Sequence, residues 1–202
     1  MKDNFDACLA FTLKYEGGYV NDPHDPGGET NLGISKLSYP HEDIRGMTRA
    51  RAAAIYRRDF WNAVSGDDLP RGLDLVAFDA AVNSGVMRSS KWVQRALLVE
   101  ADGRIGPKTL VAARMLSQSQ LEAAISRAVA IRFDFLTRLK TWSRYKRGWT
   151  ARTEAVGASA LAMAKSAQRQ PAAQSTPAPP LGIAAAIAAA LAALAVFFDK
   201  LF

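Results

Sequence analysis

Cysteine is almost missing from this sequence. Cys8 stands alone, so the chain can form no internal disulfide and no cysteine-based metal cluster. Its apolar neighbours recur at helical spacing, which makes it a small core residue. Histidine is nearly as scarce: His24 and His41 are the only two, without Cys or His partners at ligand spacing. A catalytic zinc needs about three protein ligands, so no metal and no other cofactor is expected. No Gly-x-Ser-x-Gly and no P-loop pattern occurs, which removes the commonest serine-nucleophile and nucleotide-binding chemistries. No apolar segment follows Met1-Lys2-Asp3-Asn4, so a cleavable signal is not expected and synthesis should end in the cytoplasm. Strand-type alternation is rare, and there is no internal repeat.

What is present suits one domain of ordinary size with appendages: 202 residues, 49% of them hydrophobic. The formal charge of +7 is unevenly spread. Between Arg127 and Arg152 lie eight basic residues (Arg127, Arg132, Arg138, Lys140, Arg144, Lys146, Arg147, Arg152) against one acid, Asp134. Such a stretch favours an anionic surface, whether a cell wall, lipid headgroups or nucleic acid; a solvated helix face is the plainer alternative. No nucleic-acid-binding motif accompanies the charge, so nucleic acid is not expected as a partner.

Apolar spacing predicts helices over Asp3–Lys14, Thr48–Asn62, Leu69–Asn83, Ser90–Val99, Thr109–Leu116 and Gln120–Lys140. Asp3 or Asn4 caps the first, Thr48 the second, and Pro107 suits the opening turn of the fifth. Gly17-Gly18 is read as the stop of the first helix, and Ser84-Gly85 as that of the third. From Tyr19 to Ser35 the composition turns to Asn, Asp, Pro and Gly, the chemistry of turns with short strands around them. The expected class is mainly α, with a small loop or β subdomain after the first helix.

After Ala155 the composition shifts, and residues 156–180 are read as a linker, Pro/Ala-rich from Gln170 to Pro180. Leu181 to Phe198 is an uncharged run, half of it alanine. As a helix at ~1.5 Å per residue it would span roughly 27 Å, enough for a thin bilayer. Residues 181–198 are therefore read as an inner-membrane span, the alternative being a soluble Ala-rich helix. Lys165 and Arg169 before the run against Lys200 after it favour a domain held on the cytoplasmic side.

The chemistry concentrates at Tyr15-Glu16-Gly17-Gly18-Tyr19. Cutting a glycosidic bond needs a proton for a poor leaving group, and a carboxylic acid can supply it. A helix end and two tyrosines beside Glu16 would both favour the protonated form. The paired glycines leave room for a sugar to approach the backbone. A second carboxylate is expected in such chemistry; Asp25 and Asp22 are the candidates, with Thr30 and Asn31 placed to position a water. Both aspartates also suit plain turn formation.

Glu16-Gly17-Gly18-Tyr19-Val20-Asn21-Asp22-Pro23, followed by Asp25-Pro26-Gly27-Gly28-Glu29-Thr30-Asn31-Leu32-Gly33-Ile34-Ser35, resembles the signature of glycoside hydrolase family 108. These are N-acetylmuramidases of phages and bacteria, also described as secretion activators. Downstream, Phe78-Asp79-Ala80-Ala81-Val82-Asn83-Ser84-Gly85, Trp92-Val93-Gln94-Arg95-Ala96-Leu97 and Asp102-Gly103-Arg104-Ile105-Gly106-Pro107-Lys108-Thr109-Leu110 resemble the peptidoglycan-binding segment that accompanies the family. The resemblance implies a lysozyme-like helical fold, with Glu16 as general acid, Asp25 and Thr30 as its helpers, and Tyr19, Asn21, Asn31 and Asn83 along the glycan. It divides the chain into a catalytic segment (1–88), a wall-binding segment (89–155) packed into the same body, the linker and the span. The expected protein is a monomeric phage or prophage endolysin, made in the cytoplasm, tethered at the inner membrane and acting on the wall in the periplasm. The alternative is a non-catalytic wall-binding or secretion-assisting protein.

Overall fold

The computed structural model describes residues 4–21 and 28–169. Asp22, Asp25, the Gln170–Pro180 linker and the 181–198 run lie outside them. The fold is built around α3 (Leu73–Ser84), in which every residue from Leu73 to Ala81 is buried. A helix apolar on nearly all sides must be enclosed. Four helices enclose it: α1 (Phe5–Thr12), α4 (Val86–Ala96), α6 (Gln118–Thr137) and α7 (Trp142–Arg169). α2 (Arg49–Tyr56) and α5 (Pro107–Arg114) complete a mainly α architecture, as the sequence predicts.

Aromatic rings fill the centre. Phe5, Trp61 and Phe78 meet edge-on at centroid separations of 5.4, 5.6 and 5.9 Å, with Tyr56 against Phe78 at 6.2 Å. Burying each such side chain contributes about 1.5–3 kcal/mol. Uninterrupted α-helical spacing through Thr48–Asn62 would turn Phe60 inward with Ile55 and Tyr56, but a π-helical turn, Arg57–Trp61, follows α2 and rephases the chain. Trp61, five residues after Tyr56, takes the fully buried place and Phe60 is left half-buried.

Several helix ends differ from the expected ones for identifiable reasons. Asn4 holds the N-cap position of α1, but its Nδ2 donates to Asp74 Oδ2 at 2.6 Å instead of capping its own helix. Thr48 caps α2 as expected, accepting from the Arg51 N–H at 3.1 Å. α6 begins two residues earlier than expected because Ser117 and Gln120 form a reciprocal capping box. α1 ends at Thr12, well before Gly17-Gly18, so the paired glycines do not stop it.

The largest correction is α7. Residues 156–169, read as the start of a linker, are the second half of a 28-residue helix. Val156, Ala160 and Ala164, four residues apart, are buried in the core. The small side chains permit a close approach: a Cβ on Gly72 would collide with the carbonyl oxygen of Ala160.

The small β subdomain is an antiparallel hairpin of β1 (Thr30–Asn31) and β2 (Ile34–Ser35), with Thr30 opposite Ser35. Leu32 and Gly33, both at positive φ (49° and 74°), make its two-residue turn. Val20 bridges to Thr30 through two backbone hydrogen bonds of 2.8 Å, tying the segment after Glu16 to the hairpin. Among the described residues no helix is long and apolar enough to cross a membrane.

Candidate active site

Glu16 stands four residues past the end of α1, in a bend, and not in the last helical turn. Its side chain is 20% exposed and its Oε1 accepts a 3.0 Å hydrogen bond from Arg152 Nη1 on α7. The rest of that guanidinium is spent on Asp79 of α3: Nη2 donates to Oδ1 at 2.8 Å, and Nε lies 3.1 and 3.2 Å from the two carboxylate oxygens. Arg132 of α6 donates from Nη1 to Asp79 Oδ2 at 2.7 Å, and Thr12 of α1 donates to Oδ1 at 3.2 Å. Four helical elements thus converge beneath one carboxylate.

Asp79 and Arg132 are fully buried. Burial pushes the Asp79 carboxyl upward, but Arg132 and Arg152 outweigh it and hold it below the usual carboxylate range. Burial works against the charge on Arg152, whereas Asp79 and then Glu16 favour it, and the guanidinium is held charged. Two acids and two arginines balance. Such a network specifies geometry more than it adds stability, because desolvation offsets much of the attraction.

On the other side of Glu16 sits Gly33. A Cβ there would lie 2.9 Å from Glu16 Oε2 and would collide with the Tyr56 hydroxyl. That hydroxyl donates to Leu32 O at 3.0 Å, and burial, with Glu16 nearby, pushes its pKa up. Glycine at this turn thus serves both the positive φ and the space beside the carboxylate.

A cavity of about 440 Å³ opens here, lined by Tyr15, Glu16, Val82, Asn83, Gly148, Trp149 and Arg152. Asn83 lines the cavity, its Oδ1 accepting from Arg132 Nη2 at 3.2 Å. Asp79 does not face it: it lies beneath Arg152. Tyr19 points to Glu29, donating to Oε1 at 2.8 Å, with Asn21 beside it. Thr30 donates to Gly28 O and Asn31 to Ile44 O, so both are engaged in holding the hairpin. Asp25 lies outside the described residues. Among the described residues nothing lies within 4 Å of a Cβ placed on Gly17 or Gly18.

Arg152, Trp149 and Gly33 escaped the sequence reading. Arg152 was counted only as one of a basic run. The signal available was the spacing Trp142, Tyr145, Trp149, Arg152, which places them on one face of a helix.

The Asp102–Thr109 motif proves to be a structural turn. Gln94, buried, donates from Nε2 to Asp102 Oδ1 (2.7 Å) and Arg104 O (2.9 Å), and its Oε1 accepts from the Gly103 N–H (2.8 Å). Among the described residues no cluster of three or more His, Cys, Asp or Glu could hold a metal.

These features define a mainly helical protein with one carboxylate at the head of a polar cleft. Residues 9–85 match the model for glycosyl hydrolase 108, and residues 88–154 match that for a predicted peptidoglycan domain. The solved structure of SagA from Brucella abortus is similar at 37% identity and a TM-score of 0.72, covering 82% of this chain and 98% of that one. A sequence search of curated proteins finds no match. The chain belongs to the glycosyl hydrolase 108 family, and its ligand class is peptidoglycan.

Proposed function

We propose that the protein is an N-acetylmuramidase that cleaves the peptidoglycan glycan strand in a lysozyme-like fold, with Glu16 as general acid. The observation that carries this reading is the placement of Glu16 in the cleft, with Arg152 on one oxygen and Gly33 beside the other. The two oxygens then divide the work. Oε1 keeps the Arg152 bond, while Oε2 carries the proton to the glycosidic oxygen. As the proton leaves, negative charge returns to Glu16, and Arg152 is already in place to stabilise it. Asp79 and Arg132 fix Arg152 in advance, so no reorganisation is needed at that moment.

Asp25 is the proposed second carboxylate, with Thr30 positioning the water. Asn83 is proposed to hydrogen-bond the glycan in the cleft, with Tyr19, Asn21 and Asn31 along the strand on the hairpin side. The cellular role we propose is lysis by a phage or prophage enzyme, monomeric, made in the cytoplasm and held at the inner membrane by residues 181–198 until it reaches the wall in the periplasm. What supports that role is the uninterrupted apolar run and the charge flanking it.

Digestion of purified sacculi tests the activity, read by reducing ends and by mass spectrometry of the products. Wild type should release fragments ending in N-acetylmuramic acid. Glu16→Gln should release none while melting at the wild-type temperature. Full activity in that variant removes Glu16 from the mechanism, and N-acetylglucosamine ends would make the enzyme a glucosaminidase.

A further inference from the structure

The first two turns of α7 carry an aromatic stripe that the catalytic reading leaves unused. On this helix Trp142, Tyr145, Trp149, Arg152, Val156, Ala160 and Ala164 share one face. From Arg152 to Ala164 that face is buried in the core. Before Arg152 it passes beyond the core and overhangs the cleft. Trp149 lines the cavity with Glu16, Tyr145 is 44% exposed, and Trp142 is half-buried.

The three rings form one cluster, with the Arg144 guanidinium 5.3 Å from the centre of the Tyr145 ring. Tyr145 and Trp149 lie 5.3 Å apart at 32°, Trp149 and Trp142 6.2 Å apart at 34°, and Phe133 supports Trp142 edge-on at 5.7 Å. At ~1.5 Å per residue, Trp142 to Arg152 covers about 15 Å, the length of about two or three pyranose rings. On the other wall Tyr15 packs under the Arg152 guanidinium, 5.3 Å from its ring centre.

The charge beside the stripe has one sign. Lys140, Arg144, Lys146 and Arg147 are exposed, and no acid occurs between Lys140 and Thr153. None of these four is ion-paired among the described residues, in contrast to Arg132, Arg138 and Arg152.

We infer that Trp142, Tyr145 and Trp149 are a stacking platform for the amino-sugar rings of a peptidoglycan strand, and that Arg144 and Lys146, on either side of Tyr145 in the chain, engage the carboxylates of its stem peptides. Aromatic faces bind the apolar C–H faces of pyranose rings, and the strand supplies these in sequence. The stem peptides supply acid groups alongside, and opposite charge draws these to exposed cations. Continuity of the platform with the Glu16 cavity identifies the occupant as the substrate strand, and the inference rests on the muramidase reading for its register on the scissile bond.

Binding tests the platform without turnover. In the Glu16→Gln background, tryptophan fluorescence is titrated with soluble peptidoglycan fragments carrying stem peptides and with a neutral N-acetylglucosamine tetramer. Tyr145→Ala and Trp149→Ala should each weaken both ligands about tenfold, and Trp149→Phe should recover most of the loss. Lys146→Gln should weaken the peptide-bearing fragments about threefold and leave the neutral tetramer unchanged. Circular dichroism and melting temperature confirm the fold of each variant. Wild-type affinity in Tyr145→Ala and Trp149→Ala overturns the platform, and wild-type affinity or equal loss for both ligands in Lys146→Gln overturns the carboxylate contacts. The two readings fail separately: a protein that binds through these residues but releases no reducing ends retains the platform and loses the muramidase.

Discussion

At the scale of single residues, the site depends on a carboxylate that never touches the cleft. Asp79 is fully buried and takes bonds from Arg132, Arg152 and Thr12. Asp79→Asn leaves buried Arg132 without its counter-charge and Arg152 with Glu16 alone, and breaking such a buried pair costs about 3–5 kcal/mol. Chemical denaturation at neutral pH should show that loss, and hydrolysis should fall because Arg152 is no longer fixed against Glu16. The pH dependence has a definite sign. Asp79 has a folded-state pKa below its unfolded value, so its contribution is present above about pH 4 and is lost as pH falls through the folded value. The wild-type advantage over Asp79→Asn should therefore shrink in strong acid. Asp74, raised by burial to about 6, works in the opposite direction: it favours folding below about pH 4 and loses that contribution as pH rises through about 6.

At the scale of elements, the contact between α3 and α7 fixes where Arg152 sits. Gly72, at φ +91°, precedes α3 and lies against the backbone of Ala160. Gly72→Ala adds strain at a positive φ and a collision with a carbonyl that cannot move alone, at a cost of about 1–3 kcal/mol. A melting curve should record the loss. Shifting α7 should also lower kcat more than it raises KM, because Arg152 travels with the helix. The element types were largely legible in the sequence where large apolar residues recur, as in α3 with Leu73, Val76, Ala77 and Phe78. The second half of α7 was not, because its buried face is Val156, Ala160 and Ala164, too small to stand out against an alanine-rich background. Its helix propensity was visible; what packs on it was not. Glu16 was legible because its motif is local. Its partner lies 136 residues away, and only the assembled helices bring the two together.

At the scale of the whole molecule, two charge patterns point the same way. The start of α7 carries the exposed cations Arg144, Lys146 and Arg147, and the run 181–198 follows a chain already basic at Lys165 and Arg169. Removing residues 171–202 should release the enzyme from the membrane fraction and change the timing of lysis from within, while leaving digestion of isolated sacculi intact. A soluble full-length protein with an unchanged lysis time would remove the tether from the account.

The order in which the chain emerges gives Arg152 a further consequence. Glu16 leaves the ribosome 136 residues ahead of the guanidinium that bonds it, which sits on the last of the described helices. Translation cut short before α7, or a protease nick ahead of Trp142, leaves a polypeptide that carries the acid but not its setting. On the proposed mechanism such fragments should release no reducing ends from purified sacculi, and only a chain finished through α7 should.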